Sequence, residues 1–66
     1  MKISANTQYV IRKYTKNKKY IPESGILKIS FQDNIALITT LQDEFNRTKD
    51  NLIKKAIDEL RDKRFI

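Results

Sequence analysis

The sequence predicts a small, mainly helical domain of the α+β class, in which one strand is followed by two helices. A helical periodicity runs through RTKDNLIKKAIDEL at 47–60, and a two-residue alternation of apolar and polar side chains runs through 26–32. The segment between them has a second helical spacing of apolar residues. At 66 residues the chain is at most one domain.

The second helix, predicted over 49–63, has the clearest pattern. Its apolar residues recur at intervals that form one stripe of a helix, with lysines and acids on the other faces. Thr48 supplies a side-chain oxygen where an N-cap is wanted, and Asp50 lies at the positive end of the helix dipole. We expect the stripe to face the core; it consists of Leu52, Ile53, Ala56, Ile57 and Leu60.

The strand is predicted over 26–32, where Leu27, Ile29 and Phe31 alternate with polar residues. Such an alternation is typical of a half-buried strand with one wet face.

The first helix is predicted over 34–45. Ile35, Ile38, Leu41 and Phe45 are spaced to face inward, and Asn46 follows where a helix-ending residue in left-handed geometry is wanted.

A homodimer is predicted because the strand has no partner in its own chain. A unit this short rarely buries enough surface to fold alone without disulfides, metal or a partner. The chain has no cysteine and no histidine, which excludes disulfides and an ordinary zinc site. Pairing the strand with its copy in a second chain would close a two-stranded antiparallel ribbon.

Positive charge gathers at the beginning of the chain. Residues 1–25 carry six basic side chains against Glu23, a formal charge of +5, whereas residues 26–66 carry eight basic and seven acidic side chains. Such an asymmetry indicates a polyanion as partner, with nucleic acid the leading candidate.

Residues 1–25 are predicted to be a basic arm, separated by Pro22 and Gly25 from a domain at 26–66. Periodicity leaves three structures open for this arm: a flexible chain, a short helix starting near Thr7, or a hairpin turning at 16–18. We favour the flexible arm for the free protein and expect disorder in residues 1–8.

Several function classes find no support in the sequence. There is no histidine or cysteine for acid–base or nucleophilic chemistry, and one glycine cannot make a phosphate loop, so we expect neither an enzyme nor a cofactor. No apolar run is long enough to span a membrane and the N-terminus lacks a secretory signal. We therefore expect a cytoplasmic, nucleoid-associated protein without bound metal.

The strand, the two helices and the turn Asn46-Arg47-Thr48 resemble the ribbon-helix-helix repressors of the Arc and MetJ type. Thr48, Ile53, Ala56 and Ile57 fill places in that family's Gly-x-Ser/Thr turn and Ile-x-x-Ala-Ile core pattern. Asn46 departs from the usual glycine, which asparagine can replace because it also visits left-handed geometry. The resemblance implies an intertwined homodimer whose intermolecular ribbon enters the DNA major groove.

The resemblance also implies two sets of DNA-contacting residues. The groove face of the ribbon would consist of Ile26, Lys28, Ser30 and Gln32, whose side chains suit base edges and thymine methyl groups. Phosphates would be held at the start of the second helix and along the arm, by Arg47, Thr48, Lys49, Arg12, Lys13, Lys16, Lys18 and Lys19.

The function expected from the sequence is sequence-specific binding of double-stranded DNA by a small transcriptional repressor, as a homodimer that can assemble further on DNA. The alternatives are a plasmid or conjugation accessory protein, or an antitoxin-like regulator. A protein-interaction module with a solvated basic tail, and an RNA or single-strand binder that uses the tyrosines of the arm, are also open.

Overall fold

The computed structural model describes residues 2–63, and this part of the chain is built from helices. The order is α1 (Ala5–Tyr14), a short 3-10 helix (Lys18–Tyr20), α2 (Phe31–Thr48) and α3 (Asn51–Lys63). Residues 2–63 contain no β-strand, only isolated backbone bridges that join Ile26 to Lys2 and to Glu23. The predicted α+β fold with an intermolecular ribbon is therefore wrong: the protein folds as a small three-helix domain.

The segment predicted as a strand, 26–32, instead leads into α2. Ser30 is the N-cap, because its side-chain oxygen accepts from the backbone N–H of Asp33 at 3.1 Å. Phe31 and Gln32 lie in the first turn of α2, and the Phe31 side chain is 51% exposed although the alternation predicted it inward. We predicted a homodimer because the strand had no partner in its own chain. Since 26–32 is not a strand, that reason no longer holds, and the homodimer stays a prediction.

The helices α2 and α3 form an antiparallel hairpin with a tight turn. Lys49 ends α2 with a left-handed φ of 58°, and its N–H donates to Phe45 O at 2.7 Å. At the other end of the pair, the Asn34 amide donates to Leu60 O at 3.3 Å. The pair therefore packs along its length, from the turn to the first turn of α2.

The boundaries of this hairpin differ from the predicted ones. The first helix runs to Thr48, three residues beyond its predicted end at Phe45, so Asn46 lies inside it and the left-handed residue is Lys49. The Thr48 hydroxyl donates to Glu44 O at 2.8 Å within α2. The cap of α3 is Asp50, whose carboxylate accepts from Leu52 N at 2.9 Å.

The helix α1 replaces the predicted flexible arm, so the short helix is the alternative that forms. Ser4 caps it, and Val10 and Ile11 are fully buried against the other helices. The Ser4 N–H and hydroxyl and the Thr7 hydroxyl all donate to the Glu59 carboxylate of α3. An anion at the positive end of α1 is electrostatically favourable, which reinforces this attachment.

One apolar core joins the three helices and the loop before α2. The predicted stripe of α3 is confirmed at four of its five positions, whereas Leu52 is 40% exposed. Leu27 is also buried, but Ile35 is 41% exposed although we predicted it to face inward. The core residues are Ile3, Val10, Ile11, Leu27, Leu37, Ile38, Leu41, Ile53, Ala56, Ile57 and Leu60.

Candidate nucleic-acid interface

The loop between α1 and α2 is held in a defined shape by a tight turn. Glu23 and Ile26 exchange two backbone hydrogen bonds, of 3.1 and 2.9 Å, across Ser24 and Gly25. Both central residues have positive φ, 52° and 77°, as a type I′ turn requires. The N–H of Ile3 donates to Gly25 O at 3.0 Å and fixes the turn to the N-terminal segment.

The part of the loop that precedes this turn is also held by hydrogen bonds. The Asn17 side chain caps the 3-10 helix by accepting from Lys19 N at 3.1 Å, and Ile21 N donates to Lys18 O at 3.1 Å. The Arg12 guanidinium reaches from α1 and donates to Pro22 O at 2.9 Å. These bonds place the lysines of the loop beside the end of α1.

The loop and the end of α1 share a basic surface, which we call the basic loop surface. Residues 2–30 carry seven basic side chains against Glu23 alone, whereas 31–63 carry six basic and seven acidic ones. The positive charge of the described chain thus lies in the half that builds this surface. Its members are all exposed: Arg12, Lys16, Lys18, Lys19 and Lys28.

A depression of about 210 Å³ opens within the basic loop surface. Its lining combines two lysines of the 3-10 helix and one lysine beyond the tight turn with two isoleucines. The lining residues are Lys18, Lys19, Ile21, Glu23, Ile26 and Lys28.

The lysines differ in how far their charge is neutralised. The Lys19 ammonium lies 3.0 Å from the Asp33 carboxylate, and this hydrogen bond and charge raise the pKa of Lys19 above its ordinary value. Within residues 2–63, Lys16, Lys18 and Lys28 form no ion pair. The ammonium groups of Lys18 and Lys28 in the depression, and of Lys16 just before the 3-10 helix, are therefore available to an anion.

Lys13, predicted to contact phosphate from the arm, lies on another side of α1. Its ammonium is 5.5 Å from the centre of the Tyr9 ring and 5.3 Å from that of Tyr14. The pKa of Lys13 is raised above its ordinary value, mainly by a hydrogen bond with the Tyr9 side chain and next by electrostatic interaction with Tyr14. The Tyr14 hydroxyl donates to the Asp50 carboxylate at 2.9 Å, so this side of α1 is bound to α3.

Of the four residues predicted to read bases, two line the depression and two do not. Ile26 and Lys28 line the depression, whereas Ser30 is occupied as the cap of α2 and Gln32 is exposed on the first turn of that helix. Their alternation would place them together only on a strand, and 26–32 is not a strand.

The predicted phosphate site at the start of α3 is occupied by side chains of the chain itself. Arg47 forms an ion pair with Glu44 inside α2, and the Lys49 ammonium lies 5.7 Å from the centre of the Phe45 ring. Asp50 accepts the hydrogen bond that a phosphate would need from Leu52 N. This bond, followed by the one from Tyr14, holds the pKa of Asp50 below its ordinary value, so a carboxylate charge stands where the anion would bind.

Ile21 and Glu23 belong to the candidate site although we did not select them from the sequence. The signal was present in Pro22-Glu23-Ser24-Gly25, which we interpreted as a domain boundary. A glycine in such a segment also indicates a tight turn, and a turn here brings Lys28 back towards Lys18.

Residues 2–63 offer no metal site and no membrane-spanning helix, and no known relative supplies a function. Within 2–63 no three acidic, histidine or cysteine side chains are grouped to hold a metal ion, and no helix there has the length and apolar content to cross a bilayer. No protein-family model, curated protein or solved structure matches the chain. Its function is therefore argued from its own residues.

Proposed function

We propose that this chain binds duplex DNA through the basic loop surface, mainly by contacts to phosphates. The observation that carries the proposal is the grouping of Lys18, Lys19 and Lys28 around one depression, with Arg12 bonded to Pro22 O beside it. The acids there are Glu23, which belongs to the lining, and Asp33, which pairs with Lys19. The remaining surface of the described chain, on α2 and α3, mixes both signs of charge. Such a one-sided basic patch is the electrostatic footprint of a nucleic-acid binder.

The loop suits phosphate contacts because its backbone is already ordered. Hydrogen bonds fix the 3-10 helix and the tight turn, so the lysine stems start from defined positions and little backbone entropy is lost on binding. Each phosphate that an ammonium neutralises releases condensed counterions, and this release drives binding without reference to sequence.

The tyrosines favour phosphate contacts over stacking on unpaired bases. Tyr14 and Tyr20 pack partly against the core, and the Tyr14 hydroxyl is bonded to Asp50. Tyr9, 49% exposed, is the tyrosine of the three whose ring is open enough to stack. Single-strand binders place successive bases on several aromatic rings. Within residues 2–63, the lining of the depression includes no aromatic ring, which argues for duplex DNA as the ligand.

The regulatory role expected from the sequence stays a prediction. Recognition of a particular operator needs side chains that reach base edges in a groove. Selection of bound sites from random duplex DNA would test this role, since a recurring motif is the signature of base reading.

A pair of charge-matched variants tests the proposal. The first replaces Lys16, Lys18 and Lys28 of the basic loop surface with glutamine. The second replaces Lys54, Lys55 and Arg61, exposed on α3, with glutamine. Both lower the formal charge from +6 to +3, so they differ only in where the charge is lost.

Binding to a mixed-sequence duplex is measured by fluorescence anisotropy over a range of salt concentrations. The loop variant should bind at least about tenfold more weakly at 0.1 M salt, with a log–log salt slope shallower by up to about 2.7. The α3 variant should stay close to the wild-type slope. Equal losses in both variants would show that net charge acts without a defined surface, and the proposal would be wrong.

A further inference from the structure

The depression in the basic loop surface differs from an ordinary lysine-rich patch because both its walls are hydrogen-bonded in place. One wall is the capped 3-10 helix, and the other is the turn in which Glu23 and Ile26 bond to each other twice. Arg12 ties the segment between them to α1 through Pro22 O. Its shape is therefore set before a ligand arrives.

Charge and apolar surface occur side by side in this depression. Lys18 and Lys28 have no ion-pair partner within 2–63, whereas the Lys19 ammonium is directed to Asp33. In the same lining, Ile26 leaves 42% of its surface exposed and Ile21 is half-buried. A ligand that satisfies both parts carries an anionic group joined to a compact apolar face.

We propose that the depression holds one sugar–phosphate unit of the bound strand, an inference that rests on the proposed function. The phosphate lies between the Lys18 and Lys28 ammonium groups, and the C–H groups of the sugar ring pack on Ile21 and Ile26. With a volume of about 210 Å³, the depression has room for one such unit.

Glu23 limits the depression to a single phosphate. Glu23 is one of the lining residues, and a second phosphate placed against its carboxylate would meet a like charge. We therefore expect the strand to cross the depression with one phosphate inside. The depression fixes the position of one phosphate, whereas the other phosphate contacts have no defined position.

Two exposed isoleucines give a matched test of the apolar part. Ile26 in the depression and Ile35 on α2 are 42% and 41% exposed and neither belongs to the buried core. The variants Ile26→Ser and Ile35→Ser both leave every charge in place. Circular dichroism and thermal melting establish that each variant is folded.

DNA affinity is measured for both variants over the same salt series as for the lysine variants. Ile26→Ser should weaken duplex binding by about three- to tenfold, as expected for loss of a contact by one partly exposed aliphatic side chain, with an unchanged salt slope. Ile35→Ser should bind like the wild type. Equal affinity of the two serine variants would overturn the inference.

A second measurement on the wild-type chain does not depend on a variant. Isotope-labelled isoleucine methyl groups are followed by NMR while a short DNA duplex is added. The methyl resonances of Ile21 and Ile26 should shift at saturation, whereas those of Ile35 should not. Unmoved Ile26 resonances at saturating DNA would overturn the inference.

The two proposals fail in different ways. If the triple lysine variant binds more weakly while Ile26→Ser does not, the basic loop surface binds DNA without a seated sugar–phosphate unit. If neither set of changes weakens binding, the proposed function itself is wrong.

Discussion

Replacing Ile11 with alanine tests whether α1 is an integral part of the fold. Ile11 is fully buried, in a segment that the sequence predicted as a flexible arm. The change deletes three buried carbon atoms, which is worth about 2.4 kcal/mol at about 0.8 kcal/mol for each. The cavity left behind adds to this, so the free energy of unfolding should fall by about 2–5 kcal/mol.

A loss of this size approaches the whole stability of so small a domain, which is rarely above about 3–5 kcal/mol. The milder Ile11→Val, expected to cost about 0.5–1.5 kcal/mol, therefore provides a variant that remains folded. Urea denaturation followed by circular dichroism gives both values. Ile35→Ala, at an exposed position of α2, is the control and should change stability by less than about 0.5 kcal/mol.

Equally small effects of Ile11→Ala and Ile35→Ala would contradict the packing of α1 against the core. Such a result would mean that α1 does not pack on α3 in solution, and the basic loop surface would then lose its anchor at Arg12.

Two further predictions concern the turn between α2 and α3. Lys49→Gly should raise the free energy of unfolding by about 0.5–1 kcal/mol, because glycine adopts the left-handed φ of 58° without the cost that a side chain incurs. The control Lys49→Ala also removes the ammonium from the Phe45 ring, but it should show no such gain in stability. Equal effects of the two substitutions would contradict the backbone explanation. The lowered pKa of Asp50 means that its carboxylate stabilises the fold above the ordinary aspartate pKa and that this contribution is lost as pH falls through the lower folded value. Asp50→Asn keeps a capping side chain, so its thermal midpoint should lie below that of the wild type at neutral pH and converge with it in strong acid; a constant difference across the pH series would argue against the charge.

The helix pattern of α3 was predictable because its period and its hydrogen bonds are both local. Ile53, Ala56, Ile57 and Leu60 are buried as their spacing predicts, and the helix satisfies its own backbone groups within the segment. Leu52 lies at the edge of the stripe near the N-terminus of α3, where less of the other helices covers it, and is exposed.

The segment 26–32 was mispredicted because two local signals overlap there. Leu27, Ile29 and Phe31 alternate like a strand, but Ser30 followed three residues later by Asp33 also marks a helix start. A strand needs backbone partners from elsewhere, and residues 2–63 supply only the isolated bridges at Ile26. The cap satisfies its own hydrogen bonds locally, and the helix therefore begins at Phe31.

The candidate site was predictable in charge but not in shape. The excess of lysine and arginine before α2 is a property of the sequence, and it indicated a polyanion from the beginning. Which lysines share a surface was not predictable, because Lys28 reaches Lys18 only through the turn at Ser24 and Gly25.

Spacing and composition were enough to predict α3, most of its buried stripe and the asymmetric charge. The tertiary structure decided that residues 5–14 form a helix, since a stretch of ten residues is too short to be stable alone and needs the packing of Val10 and Ile11. It also decided how α1 lies on α3, with Ser4 and Thr7 at the Glu59 carboxylate and Tyr14 at Asp50. Contacts between residues that are distant in sequence set these features, and a periodicity among neighbouring residues contains no information about such contacts.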